Sequence, residues 1–329
     1  MKLAVLFASA FVAAAFAASQ DQRVFRANVS GVTIPASVRS GGKPVPGLKA
    51  EDFELRDNGV LQEIRTFTAD TVPLDVTLML DASASVEGPL LERLKTAVND
   101  TANLLHQGDR LRLISISQVL REVFPFRPKG EPMPLDALTA EGATSLYDAL
   151  AAGMMRPGDS GRRQLVIAFT DGRDSTSILD IQATREIARL SDAVVDIVLP
   201  ANRVDQPPDR PVRNAARQQT LDQVLNSSSN VIAGTPTEVV EKARAIQAAK
   251  NNRTDELMEV IAPTTGQVFP LYGGDSIGRA FRRVLDDFRA SYVLQYEPQG
   301  VATGGWHDVI VTIRRPGRFD VRARKGYQG

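Results

Sequence analysis

Two kinds of hydrophobic pattern divide the chain. Between Pro73 and Ala290, apolar runs alternate with segments of helical spacing. The runs are LDVTLML (74–80), RLRLISIS (110–117), QLVIAFT (164–170), DAVVDIVLP (192–200) and QVFPLY (267–272). Between them lie PLLERLKTAVNDTANLLH (89–106), SLYDALAAGMM (145–155), ILDIQATREIARL (178–190), RTDELMEVIAPTTG (253–266) and SIGRAFRRVLDDFRA (276–290). A strand that is apolar on both faces is covered on both faces, so this alternation predicts an α/β fold: a doubly wound, mostly parallel sheet with helices on either side.

The flanks read differently. From Val24 to Thr68, Val32, Ile34 and Val38 alternate with small or polar neighbours and GKPVPGL (42–48) makes a turn. Asp57-Asn58-Gly59 then separates DFEL from VLQEI, a strong short hairpin signal. After Ala290 come SYVLQYEP, WHDVIVTIRR, a Pro316-Gly317 turn and FDVRARKGYQG. Each flank holds about three strands, too few for a comfortable sandwich alone. The expectation is one small β-sandwich formed by residues 19–70 together with 291–329, with the α/β domain, 71–290, inserted into it. Residues 201–251 fit neither unit. They hold Pro207, Pro208, Pro211 and a weak amphipathic pattern at Val239, Ala243, Ile246 and Ala249, and are longer than an ordinary connection.

Composition narrows the chemistry. The 329 residues carry 39 basic and 39 acidic side chains, two histidines and no cysteine. A balanced charge gives no footprint for nucleic acid or an anionic membrane surface. Without cysteine there is no disulfide framework, thiolate nucleophile or cysteinyl metal site. The opening segment has one cation, Lys2, an apolar run from Leu3 to Ala18, and Ala15 and Ala17 in Ala-x-Ala cleavage positions. It reads as a secretory signal peptide, residues 1–18, short of a membrane span. The mature protein is therefore expected to be secreted or periplasmic, with no membrane insertion after cleavage.

Three polar stretches sit where the chain leaves the sheet or starts a helix. Asp81-Ala82-Ser83-Ala84-Ser85 follows LDVTLML, Thr170-Asp171-Gly172 follows QLVIAF, and Gly142-Ala143-Thr144 precedes a helix. Ligands of open α/β sheets bind beyond the carboxyl ends of the strands, so the three are able to converge. Asp81 and Asp171 with Ser83, Ser85 and Thr144 offer two carboxylates and three hydroxyls, hard oxygen donors that suit magnesium, manganese or calcium rather than zinc or copper.

This series, Asp-x-Ser-x-Ser, Thr and Thr-Asp-Gly in that order, resembles the metal-ion-dependent adhesion site (MIDAS) of von Willebrand factor type A domains. The resemblance covers roughly Pro73 to Ala290. It implies that Ser83, Ser85 and Thr144 touch a magnesium ion through their hydroxyls and that Asp81 and Asp171 hold it directly or through water. It also implies that an Asp or Glu of a partner protein completes the coordination. GKPVPGLKAEDFELRDNG near the start and VRARKGY near the end are similar to secreted bacterial proteins related to von Willebrand factor A. The resemblance thus implies a protein-binding module and not an enzyme.

Other readings of the same residues stand beside this one. Asp81, Ser83 and Ser85 could cap the helix that starts near Pro89, and Ser145 with Asp148 fits a capping box. Asp174 and Ser175 read as a solvated loop. The metal could serve only to stabilise a structural or assembly protein. A metal-dependent hydrolase is a further alternative, although the second acidic residue that aspartate-nucleophile phosphatases need falls on Ser83. Gly158-Asp159-Ser160-Gly161 reads as a surface turn, and no glycine loop for phosphate is present.

Overall fold

A computed structural model of the chain describes residues 31–68, 72–155, 159, 161–200, 253–272 and 275–329. The expected signal peptide, residues 1–18, and the 201–251 stretch therefore lie outside the described residues. Among those described, no helix is long and apolar enough to cross a membrane.

The central sheet contains six strands. They are β6 (Leu74–Asp81), β7 (Arg110–Ile116), β8 (Arg121–Pro128), β9 (Arg163–Phe169), β10 (Val194–Pro200) and β11 (Val268–Leu271), in the order β11-β10-β9-β6-β7-β8. All neighbours are parallel except β7 and β8. Every residue of β6 is buried, as befits a strand with parallel neighbours on both sides and helices on both faces. One face of the sheet packs on α1 (Pro89–Leu104) and α5 (Ile277–Arg289), where Leu94, Val98, Phe281 and Val284 join Leu78 and Ile167 in a core. The other packs on α2 (Leu146–Met155), α3 (Ile181–Leu190) and α4 (253–261), through Leu146, Leu150, Ala188, Leu257 and Ile261.

Two details depart from the sequence reading. The sheet has an additional antiparallel edge, β8, whose charged ends and Pro125 obscure its pattern but are tolerated on an edge strand. α3 starts at Ile181 and not at Ile178, because the Asp180 side chain accepts the Ala183 N–H at 2.8 Å and ends the preceding loop.

The flanking strands do combine. One sheet has the order β14-β1-β12-β5, from β14 (Asp320–Ala323), β1 (Val32–Ser40), β12 (Tyr292–Tyr296) and β5 (Ile64–Thr68), with β2 (Lys43–Pro44) folded onto β1. The other is β15-β13-β3-β4, from β15 (Gly326–Gln328), β13 (Trp306–Ile313), β3 (Phe53–Asp57) and β4 (Val60–Gln62). Alternation along β1 and β13 places Ile34, Ala36, Val38, Val309 and Val311 in a shared core with Phe53 and Tyr292. The β3–β4 hairpin turns at Asn58 and Gly59, φ 46° and 82°, the left-handed pair that such a turn demands. FDVRARKGYQG makes two strands, one in each sheet, because the chain crosses between them at Arg324 and Lys325.

A polar network joins β1 to the α/β layer. Arg39 Nη1 lies 2.6 Å from Asp287 Oδ1 of α5, and Gln267 Nε2 donates to Asp287 Oδ2 at 2.8 Å. The Gln267 N–H in turn donates to Asp196 of β10 at 2.7 Å. Burial pushes the Asp196 carboxyl up to about 8; the Gln267 N–H opposes this, and the charge of Asp287 adds to it. The folded state therefore keeps a proton that the unfolded chain loses near 3.8, so this group's contribution to stability falls as pH rises from about 4 to about 8. Asn at this position keeps an oxygen acceptor without the charge. The stability gained by Asp196→Asn over the wild type should grow between pH 5 and pH 8, as measured by urea unfolding at several values.

Candidate metal centre

Asp81 is the last residue of the central strand and is 5 % exposed. Three loops close around it, laced by backbone hydrogen bonds. Ala82 N–H donates to Ile116 O, Glu141 N–H to Ala82 O and Ala84 N–H to Gly142 O, tying the 81–85 loop to the stretch that carries Thr144. The N–H groups of Ser175 and Thr176 both reach the carbonyl of Thr144, at 2.8 and 3.3 Å, which fixes the loop after Asp171. Two glycines permit these approaches. Gly142, φ 70°, would bring a Cβ to 3.4 Å from that of Gln118, and Gly172, φ 79°, would press one to 3.1 Å from Leu199 and Leu257.

The structure brings the five candidate residues to this one end of the sheet. Asp81 Oδ1 accepts the Ser83 N–H at 3.0 Å and stands 3.5 Å from Thr144 Oγ1, at the limit of a hydrogen bond. Ser83 Oγ and Ser85 Oγ are 3.0 Å apart. Asp171 stands at the rim with half its side chain exposed, Oδ1 accepting the Arg173 N–H at 3.0 Å and Oδ2 lying 3.4 Å from Arg173 Nε. One further participant lies outside the five candidate ligands: Thr170 Oγ1 donates to Asp81 Oδ2 at 3.2 Å and accepts the Gly172 N–H at 3.1 Å. Its signal was its place directly after a buried strand.

The capping readings fail. α1 has Gly88 as its N-cap with no side-chain cap, and Ser83, the N-cap of the one-turn helix Ala84–Val86, makes none either, so the motif hydroxyls stay free of helix duty. The Ser145/Asp148 box does not form. Ser145 Oγ bonds Thr176 Oγ1 at 2.8 Å, while Asp148 accepts the N–H groups of Ile178 and Leu179. Asp174 caps α2 instead, accepting the Leu146 N–H at 2.7 Å, and is half-buried where a solvated loop was expected.

The electrostatics set Asp81 apart. Asp75, at the other end of the same strand, is 2 % exposed and is met by Arg110 Nη2 and Arg162 Nε, each at 2.5 Å. Asp81 is equally sheltered, yet among the described residues no ion pair reaches it. Burial holds its carboxyl above the usual carboxylate range, hydrogen bonds from Ser83 and Thr170 pull it back, and the like charge of Asp171 pushes it further up. A buried carboxylate with only neutral donors beside a second carboxylate has unmet demand for positive charge. Oxygen-only donors fit a hard divalent cation. Among the described residues no group of three or more His, Cys, Asp and Glu gathers anywhere, so hydroxyls must supply part of any ligand set here.

The family model for the von Willebrand factor type A domain matches residues 75–254. The chain belongs to that family. A search of curated proteins finds no match. Among solved structures the von Willebrand factor type A domain has several similar members. A von Willebrand factor type A protein from Catenulispora acidiphila has 10% identity and a TM-score of 0.45, over 92% of this chain and 75% of that one. The conserved hypothetical protein BatB from Bacteroides thetaiotaomicron has 15% identity and a TM-score of 0.41, over 65% and 98%. Proximal thread matrix protein 1 of the mussel byssus, with zinc occupying its MIDAS motif, has 13% identity and a TM-score of 0.44, over 70% and 49%. Within this domain the α2 cap, Asp174, is separate from the five candidate residues. Asp174→Ala should cost about 1 kcal/mol of stability, typical of a lost cap, equally with and without magnesium. Chemical unfolding in both conditions checks this.

Proposed function

We propose that this protein is a protein-binding module that holds a divalent cation, magnesium in the first instance, at the carboxyl ends of β6 and β9. Von Willebrand factor type A domains commonly mediate interactions between proteins, and many bind a divalent cation at a MIDAS. The observation that carries the reading for this chain is the buried Asp81 carboxylate, which has no ion pair among the described residues and is set among the hydroxyls of Ser83, Ser85 and Thr144. These three hydroxyls would be direct ligands, with Asp81 and Asp171 as direct or water-mediated ones. When bound, the cation supplies positive charge and an open coordination position that an Asp or Glu of a partner protein fills.

The chain's own residues do the rest. Asp81 is oriented by the Ser83 N–H and by Thr170, so its oxygens keep their place without a metal. Ligands that are mostly neutral hydroxyls leave the charge of the cation under-compensated, which favours capture of an external carboxylate over a self-contained site. A domain over 71–290, carried by a sandwich of 19–70 and 291–329 and exported by the first 18 residues, would present this end of the sheet outside the cytoplasm. No catalytic residue belongs to the proposal.

Thermal melts with and without magnesium test it. At a magnesium concentration of about 100 times Kd the wild type should gain about 2.7 kcal/mol, and the Asp81→Ala/Thr144→Ala double variant nothing. Asp81→Asn should melt no lower than the wild type in chelator, since it removes a buried charge and keeps an acceptor. Equal responses of wild type and double variant to magnesium would sink the reading. Partner capture that survives both chelation and Asp81→Ala would leave the cation without a role in binding.

A further inference from the structure

Two large apolar side chains stand exposed at the same end of the central sheet as Asp81. Ile178 is 94 % exposed, more than any other large apolar side chain among the described residues, and Val119 is 66 % exposed. They share that end because β6, β7 and β9 run parallel: Val119 lies in the turn that leaves β7, and Ile178 in the loop that leaves β9. Backbone bonds bring both segments to either side of Thr144. The Ser145 N–H donates to the carbonyl of Ser117, whose hydroxyl donates to the Val119 carbonyl at 2.9 Å. Thr176, two residues before Ile178, donates its N–H to the Thr144 carbonyl at 3.3 Å.

A single exposed aliphatic on a protein surface needs no explanation. Here, however, the more exposed of the two sits on a clamped backbone. The Ile178 and Leu179 N–H groups donate to the carboxylate of Asp148, in the first turn of α2, at 3.0 and 2.9 Å. Just before them, Ser177 Oγ donates to Asp174 Oδ1 at 2.5 Å and accepts the Asp148 N–H at 3.2 Å. An aliphatic side chain held in water on a fixed backbone keeps nearly all its apolar area for a partner, and little further ordering opposes the contact.

The charges of this rim offset one another. Arg121 Nη2 lies 3.2 Å from Glu141 Oε1, and Arg173 Nε lies 3.4 Å from Asp171 Oδ2. Arg253, whose Nη1 donates to the Asp171 carbonyl, and the exposed Glu87 beside the 81–85 loop add one charge of each sign. Such a rim gives a polyacidic chain no attraction beyond the cation itself, and leaves apolar contact to discriminate among carboxylates. We propose that the partner segment taken at this end is an acidic residue flanked on both sides by aliphatic ones, the carboxylate completing the cation and its neighbours packing on Val119 and Ile178. This rests on the cation reading above and adds to it the apolar character of the partner.

Fluorescence anisotropy of labelled heptapeptides in magnesium tests it. A peptide with one Asp among leucines should bind the wild type roughly tenfold more tightly than one with the Asp among serines, or than oligo-aspartate, and chelator should abolish its binding. The Val119→Ser/Ile178→Ser variant changes two exposed side chains, so it should keep the wild-type melting temperature and its rise with magnesium while losing the preference for leucines. If magnesium raises both melting temperatures but the leucine peptide does not bind, binds no better than the others, or is still preferred by the variant, the apolar rim is overturned and the cation reading stands. Leucine-peptide binding that survives chelator, or replacement of its Asp by Asn, also overturns the proposal, since the tips would then act without a carboxylate. A wild type whose melting temperature ignores magnesium would remove the cation reading and this one with it.

Discussion

The burial of β6 along its whole length is the constraint from which the rest follows. A strand with parallel neighbours on both sides and helices on both faces has nowhere to place a polar side chain without a partner. Asp75 is answered by Arg110 and Arg162, and Thr77 by the equally buried Arg112. Asp81 is the exception. It has neutral donors, and among the described residues no opposite charge pairs with it.

That asymmetry explains the architecture of the loops. The 81–85, 142–144 and 170–176 stretches are tied to one another through backbone groups, so none of the five candidate side chains is needed to hold the loops together. The helix ends nearby make no call on the candidate donors: α1 begins at Gly88 without a side-chain cap, and Asp174 caps α2. Separating the two duties keeps the hydroxyls of Ser83 and Ser85 available.

Much of this was legible in the sequence, for reasons that differ by element. The apolar runs of β6, β9 and β10 are long enough to declare burial on both faces, and the Asn58-Gly59 turn has few alternatives to a hairpin. The candidate donors could be picked out as a group because each is tied to the end of an element and not to a distant partner. What could not be read depended on contacts across the fold. β8 is an edge strand whose charges and prolines mimic a loop, and the α2 cap comes from a residue 28 positions away. The isolation of Asp81 emerges only by contrast with Asp75, whose arginines arrive from β7 and from the turn before β9. The closing FDVRARKGYQG reads as one strand because nothing local marks the crossing between sheets.

The pairing of β1 with β12, Val32 opposite Tyr296, has a consequence for how the molecule is made. Both edges of β1 are covered largely by strands from the far end of the chain, β12 and β14, and β3 likewise waits for β13. A chain emerging from its amino end therefore exposes unpaired strand edges and alternating apolar faces throughout the synthesis of the whole α/β segment. Such long-range closure slows folding and invites aberrant edge pairing in the interval. The inserted domain, whose contacts are more local, is positioned to fold first and bring Leu74 and Ser291 together, turning a distant strand encounter into a short one. The sandwich is thus a clasp that only the last residues of the chain can fasten, and truncation at the carboxyl end should injure the amino-terminal strands as much as the strands it removes.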